Sequence, residues 1–126
     1  MGDRNRKTSA AEVRVLNRFR KVCKVFPGVT ETLDGHGHAA FRVGTKTLAM
    51  LGESEGTPSL GLKTDTQTQS QLLKRDDFYA TPYVGQHGWV STDGSEDDID
   101  WEIVQMIVAA TYRRVAPKRL IAQLGD

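Results

Sequence analysis

The chain has 126 residues, 38% of them hydrophobic and 26% charged, which suits one globular domain and excludes both two ordinary domains and a disordered chain. Its one cysteine, Cys23, excludes an internal disulfide framework and a multi-cysteine zinc site. No apolar run approaches the roughly 20 residues that span a bilayer, and the charged N-terminus has no apolar segment behind it, so the expectation is a cytoplasmic protein without a signal peptide.

The formal net charge of +1 is unevenly spread. Residues 1–24 carry eight bases against Asp3 and Glu12, residues 92–102 carry six acids and no base, and Arg113, Arg114, Lys118 and Arg119 form a second basic block. Such segregation suits a basic binding face on a nearly neutral molecule, and it equally suits helix-end electrostatics and a solvated helix face. Residues 1–8 read as a basic arm set apart from one domain over 9–126.

The first predicted element is a helix from Ser9 to Val25. Val15, Leu16, Phe19, Val22, Cys23 and Phe26 recur at three- and four-residue steps, Ser9 and Glu12 form a capping-box pattern, and Pro27-Gly28 ends the helix. Cys23 lies on the apolar stripe and reads as a buried structural thiol. Thr30–Leu33 supplies an edge strand. Ala39, Phe41 and Val43 alternate with polar or small residues up to Gly44-Thr45, a type II′ turn signal, after which Lys46–Leu51 returns. The expected register sets Val43 against Lys46, Phe41 against Leu48 and Ala39 against Met50, all facing the core. Ser59–Lys63 is a further strand with Leu60 and Leu62 inward.

Asp65–Arg75 reads as a short polar helix anchored by Leu72 and Leu73. Phe78–Val84 is irregular and aromatic, with Pro82 barring a regular ladder. Gly88–Thr92 is a strand centred on Trp89. Ile99, Ile103, Val104, Ile107, Val108, Thr111 and Val115 form the stripe of the longest helix, with acids in its first turn, Arg113 and Arg114 in its last, and Ser95 or Asp97 as its cap. After Pro117, Leu120, Ile121 and Leu124 mark a short terminal helix. The order gives an α+β fold, an antiparallel β-sheet covered by helices.

Motifs of known chemistry are few. Gly35-His36-Gly37-His38 precedes a strand, so it is not a dinucleotide fingerprint. Its two histidines share a strand face, but no spaced acid or cysteine completes a metal site, and a glycine turn accounts for it. The acidic run from Asp93 lacks the calcium-loop spacing and is accounted for by helix capping. His87, Asp93 and Glu31 are the catalytic candidates, yet nothing specifies a nucleophile together with a base, so the reading is of a non-enzymatic protein with no cofactor. The segment Tyr79–Val90 gathers two tyrosines, a histidine and a tryptophan around two glycines, a composition that suits a binding cleft or plugs the end of a small core.

Phe26-Pro-Gly-Val-Thr-Glu-Thr32, Phe41-Arg-Val-Gly-Thr-Lys-Thr47, Pro82-Tyr-Val-Gly-Gln-His-Gly-Trp-Val90 and Tyr112-Arg-Arg-Val-Ala-Pro-Lys-Arg-Leu120 stand in the order and spacing of the MmcQ/YjbR-like family, which the chain resembles over roughly residues 12–124. The resemblance implies a small cytoplasmic bacterial α+β domain of largely unassigned role. It also implies a fold similar to double-wing DNA-binding proteins and to secretion-chaperone-like domains. It supplies no catalytic residues.

The leading functional expectation combines that resemblance with the basic segregation: a DNA-binding module without enzymatic activity. Its wing is the hairpin at Gly44-Thr45, with Arg42, Lys46 and Lys63 on phosphates and Lys118 and Arg119 adding contacts from the C-terminal end. A pI of about 7.9 is low for such a domain. The alternatives are a module that binds a planar small molecule or drug through Tyr83, His87 and Trp89, as the family's namesake from a mitomycin cluster suggests, and a dimeric protein-partner domain like the secretion chaperones. No membrane partner is expected.

Overall fold

Hydroxyl capping and an apolar stripe start the chain's first helix where the sequence places it. In the computed structural model, which describes residues 9–33 and 38–124, helix α1 spans Ala10–Cys23. The Ser9 hydroxyl accepts the Glu12 amide at 3.0 Å, and Val15, Phe19, Val22 and Cys23 turn into the core. The helix stops two residues before Val25, which is exposed, so that Phe26 can swing back into the core.

Four strands follow as a meander: β1 Val29–Leu33, β2 Ala39–Val43, β3 Lys46–Ser54 and β4 Thr57–Lys63. Helix α2, Thr66–Leu72, is capped by Asp65, whose carboxylate accepts the Thr68 amide at 2.6 Å. Leu72 is buried, whereas Leu73, expected beside it as an anchor, is exposed. The two-residue strand β5, Tyr79–Ala80, leads through a 3-10 turn at Gly85–His87 into β6, Trp89–Asp93. Gly88 sits at φ +93 with its Cα against the Thr64 carbonyl, where a Cβ would stand 2.2 Å from that oxygen. Helix α3, Trp101–Val115, and the short α4, Lys118–Ala122, complete the chain.

The strands form one antiparallel sheet in the order β1-β2-β3-β4-β6-β5. Helices α1 and α3 cover one face, burying Phe41, Leu51, Leu60, Leu62 and Val90 against Phe19, Val104 and Val108. Phe19 meets Phe41 edge-on at 4.7 Å. Tyr112 of α3 is fully buried, lies 5.2 Å from Phe26 and donates its hydroxyl to the Pro27 carbonyl. Thr111 donates to the Lys63 carbonyl, tying the same helix to the end of β4.

Two details correct the sequence reading. The β2–β3 hairpin pairs Val43 with Lys46 as expected, and Gly44 takes φ +60, but a bulge opposite Phe41 and Arg42 shifts the rest by one residue. Phe41 faces Ala49, Ala40 faces Met50 and Ala39 faces Leu51. The bulge lets both Leu48 and Ala49 enter the core, and it turns Met50 to the opposite face. The cap of α3 is Asp100, whose Oδ1 accepts the Ile103 amide at 3.2 Å; neither Ser95 nor Asp97 caps the helix. Ser95 closes a separate turn onto Asp98 at 3.0 and 2.9 Å, and the helix begins only after Ile99 has reached the core.

Candidate functional site

Side chains alternate across a strand, so each core-facing residue of the sheet has neighbours on the face that α1 and α3 leave uncovered. On β4 these are Ser59, Gly61 and Lys63; on β3, Met50 and Gly52; on β6, Trp89, Ser91 and Asp93. The central positions are small. Gly61 lies between Met50 and Ser91 in the ladder and contributes only backbone to the floor. Gly52 leaves room for the His38 ring, which a Cβ would meet at 2.5 Å.

The result is a trough of about 590 Å³ on the open face. Its apolar walls are Met50, Trp89, Pro82, Val84 and Tyr83; its polar positions include His38, Glu53, Ser59, Thr81 and Ser91. The rim loop is shaped by Tyr83, which is 97% exposed and held at φ +70, a left-handed conformation unusual for a bulky residue. Gln69 of α2 secures the loop, donating to the carbonyls of Gly85 and Trp89 at 2.7 and 3.0 Å.

Hydroxyls line one wall. Tyr79 donates to Asp93 Oδ1 at 2.8 Å and lies 3.3 Å from Ser59 Oγ; Thr81 and Ser91 hydroxyls meet at 2.8 Å. Burial, partly offset by the Ser59 contact and reinforced by Asp93, holds the Tyr79 phenol above its ordinary pKa. This end of the face is therefore acidic and hydroxylated.

The hairpin end is basic. Arg42 stands on the open face opposite Thr47, Lys46 at the tip, and Lys63 one step beyond the Ala49–Leu62 pair, roughly two strand spacings or about 10 Å across from Arg42. The Lys63 ammonium donates to the His87 carbonyl, so it serves the 3-10 turn. Arg42 and Lys46 make no ion pair among the described residues. Lys118 and Arg119 are exposed on α4, whose Leu120 packs against Gly28 beside the start of β1, and Val29 of β1 pairs with Val43 at the same hairpin end. The structure thus places Arg42, Lys46 and Lys63 toward one end of the sheet and sets α4, which carries Lys118 and Arg119, beside the start of β1.

Of the aromatic candidates, Tyr83 and Trp89 share the trough. Trp89 opens β6 rather than centring it. His87 is exposed in the 3-10 turn, with its ring 3.4 Å from the Gln86 amide nitrogen, and does not line the trough; His38 does. Sequence reasoning missed Met50, Gly52, Ser59, Gly61 and Ser91. For the glycines and serines the available signal was their smallness at alternating positions of otherwise apolar strands; Met50 gave none, because Leu48–Leu51 is apolar throughout. His36 lies outside the described residues, and among the described ones no cluster of three or more histidine, cysteine or acidic side chains suits a metal ion. Nor is any described helix long and apolar enough to cross a membrane.

Comparison with known proteins agrees with this architecture. A family model described as YjbR matches residues 24–114. The fold is similar to the crystal structure of Deinococcus radiodurans protein DR2400, described as a DUF419 domain, with a TM-score of 0.70 and 18% identity over 90% of each chain. No curated protein matches. The six-stranded antiparallel sheet, the helices on one of its faces and the family match over most of the chain lead to one conclusion: the chain belongs to the YjbR family.

Proposed function

We propose that the chain is a non-enzymatic binding module that holds a planar aromatic small molecule on its open sheet face. The observation that carries this reading is the trough itself: about 590 Å³, floored by the backbone of Gly61 and walled by Trp89 and Tyr83. Flat apolar walls with a few polar groups at one side are the usual composition of small-ligand sites.

The test uses a Trp101→Phe protein, so that Trp89 alone reports. A panel of planar aromatic compounds should quench its fluorescence saturably and raise the melting temperature. Gly61→Val should abolish both effects with the fold intact. At Gly61 a Cβ meets Ser91 Oγ, the Met50 carbonyl and the Trp89 ring only at 3.6–3.9 Å, so valine fits the strand while its methyl groups fill the floor. Emission and melting temperature unmoved across the panel would end this reading.

A second reading, DNA binding, is favoured by a separate observation: Arg42 and Lys46 stand exposed and without ion pairs among the described residues at the hairpin end, and Lys118 and Arg119 are exposed on α4. With Lys63 engaged at His87, four cations remain for phosphates, which gives a log–log salt slope of about −3 to −4. Anisotropy with labelled duplex at about 50 and 200 mM salt measures that slope. Loss of binding in an Arg42→Glu/Lys46→Glu protein supports the hairpin assignment; no binding at low salt removes it.

A further inference from the structure

The polar wall of the trough has a direction, and the direction limits what it accepts. Tyr79 gives its only proton to Asp93 Oδ1 at 2.8 Å, and a carboxylate has none to return. Ser59 Oγ lies 3.3 Å from the same phenol oxygen. With the phenol proton engaged on Asp93, the serine must be the donor in that contact. Its remaining capacity is two lone pairs, and Ser59 lines the trough. The wall therefore offers an acceptor at Ser59.

No lysine or arginine lines the trough among the described residues. Arg42 and Lys63 lie toward the hairpin end, and the Lys63 ammonium is held by the His87 carbonyl. An anionic group set against Ser59 would face lone pairs and share the lining with the Glu53 carboxylate, His38 being the one lining side chain able to carry positive charge, and an unmatched polar group costs more than a matched one gains.

We propose that the trough selects planar aromatic molecules bearing an N–H donor, a ring amine for example, that the Ser59 oxygen receives this donor, and that acids and phosphates are rejected. The inference rests on the reading of the trough as a small-molecule site. Tyr79 and Asp93 act here as positioning residues, since they set the direction of the serine hydroxyl without touching the ligand.

Three probes of one ring system separate the possibilities by calorimetry on the full chain in mildly alkaline buffer, where the first two are uncharged: 2-aminoacridine, acridine and acridine-2-carboxylate. The amine should bind about tenfold tighter than acridine and roughly a hundredfold tighter than the carboxylate. Ser59→Ala should shrink the advantage of the amine over acridine to within about threefold and leave acridine unchanged. Tyr79→Phe frees the serine proton, so the carboxylate should gain severalfold. A carboxylate bound as tightly as the amine, or a Ser59→Ala protein that keeps the full preference, overturns the donor assignment while planar binding stands. Failure of all three probes to bind overturns the trough reading itself.

Discussion

At the scale of single residues, position in the fold separates side chains that look alike in sequence. His38 lines the trough, whereas His87 projects from the 3-10 turn and contributes its carbonyl to Lys63. Cys23 behaves as its place on the helical stripe indicates: burial, with the charge of Glu31 adding to it, pushes the thiol up to about 12, far from thiolate chemistry at neutral pH. Tyr112 was not legible on the stripe of α3, because its partner is the Pro27 carbonyl on a segment 85 residues away. Tyr83 keeps a bulky ring in left-handed backbone at the trough rim. Asparagine tolerates that conformation better, so Tyr83→Asn should match or exceed the parent's stability by up to about 1 kcal/mol in urea titration and weaken binding of planar compounds. A variant that loses stability would show that the ring packs instead of serving the rim.

At the scale of elements, helix starts, hairpin turns and strand alternation were readable because each is local. Ser9 caps α1, Gly44 turns the hairpin, and Leu60 and Leu62 face the core as alternation requires. The bulge in β3 was not readable. Leu48-Ala-Met-Leu51 is apolar throughout, so no alternation marks which residue faces which side, and the decision falls to packing against α1 and α3. The cap of α3 was ambiguous for a similar reason, since every acid in the run is a competent cap. Its identity is testable: Asp100→Ala should cost about 0.5–2 kcal/mol, because it removes the Ile103 amide's acceptor and the Arg75 contact at 3.0 Å, whereas Asp97→Ala should stay within about 0.5 kcal/mol. Equal costs would return the cap to the upstream loop.

At the scale of the whole molecule, three aspartates that do not line the trough set the acid limit of stability. Asp65, Asp77 and Asp98 all titrate below the ordinary carboxylate range: Asp65 through the Thr68 amide, Asp77 through the Arg75 guanidinium, Asp98 through the Ser95 amide. Each is a folded-state pKa lowered from its unfolded value, so its contribution is complete above about pH 4 and is lost as pH falls through the lower folded value. Unfolding free energy from urea titrations should therefore stay level from neutral pH to about pH 5 and decline below about pH 4. A decline beginning near pH 6 would contradict this and point to histidine. The two faces of the sheet divide the molecule's work in another way. Along β4, Leu60 and Leu62 are pinned by the helices, while Ser59 and Gly61 open onto the trough on the other face. One strand thus carries two independent scripts, interleaved residue by residue. Changes written in one leave the other legible, so what the trough accepts can be rewritten by substitution or by evolutionary drift without renegotiating the core.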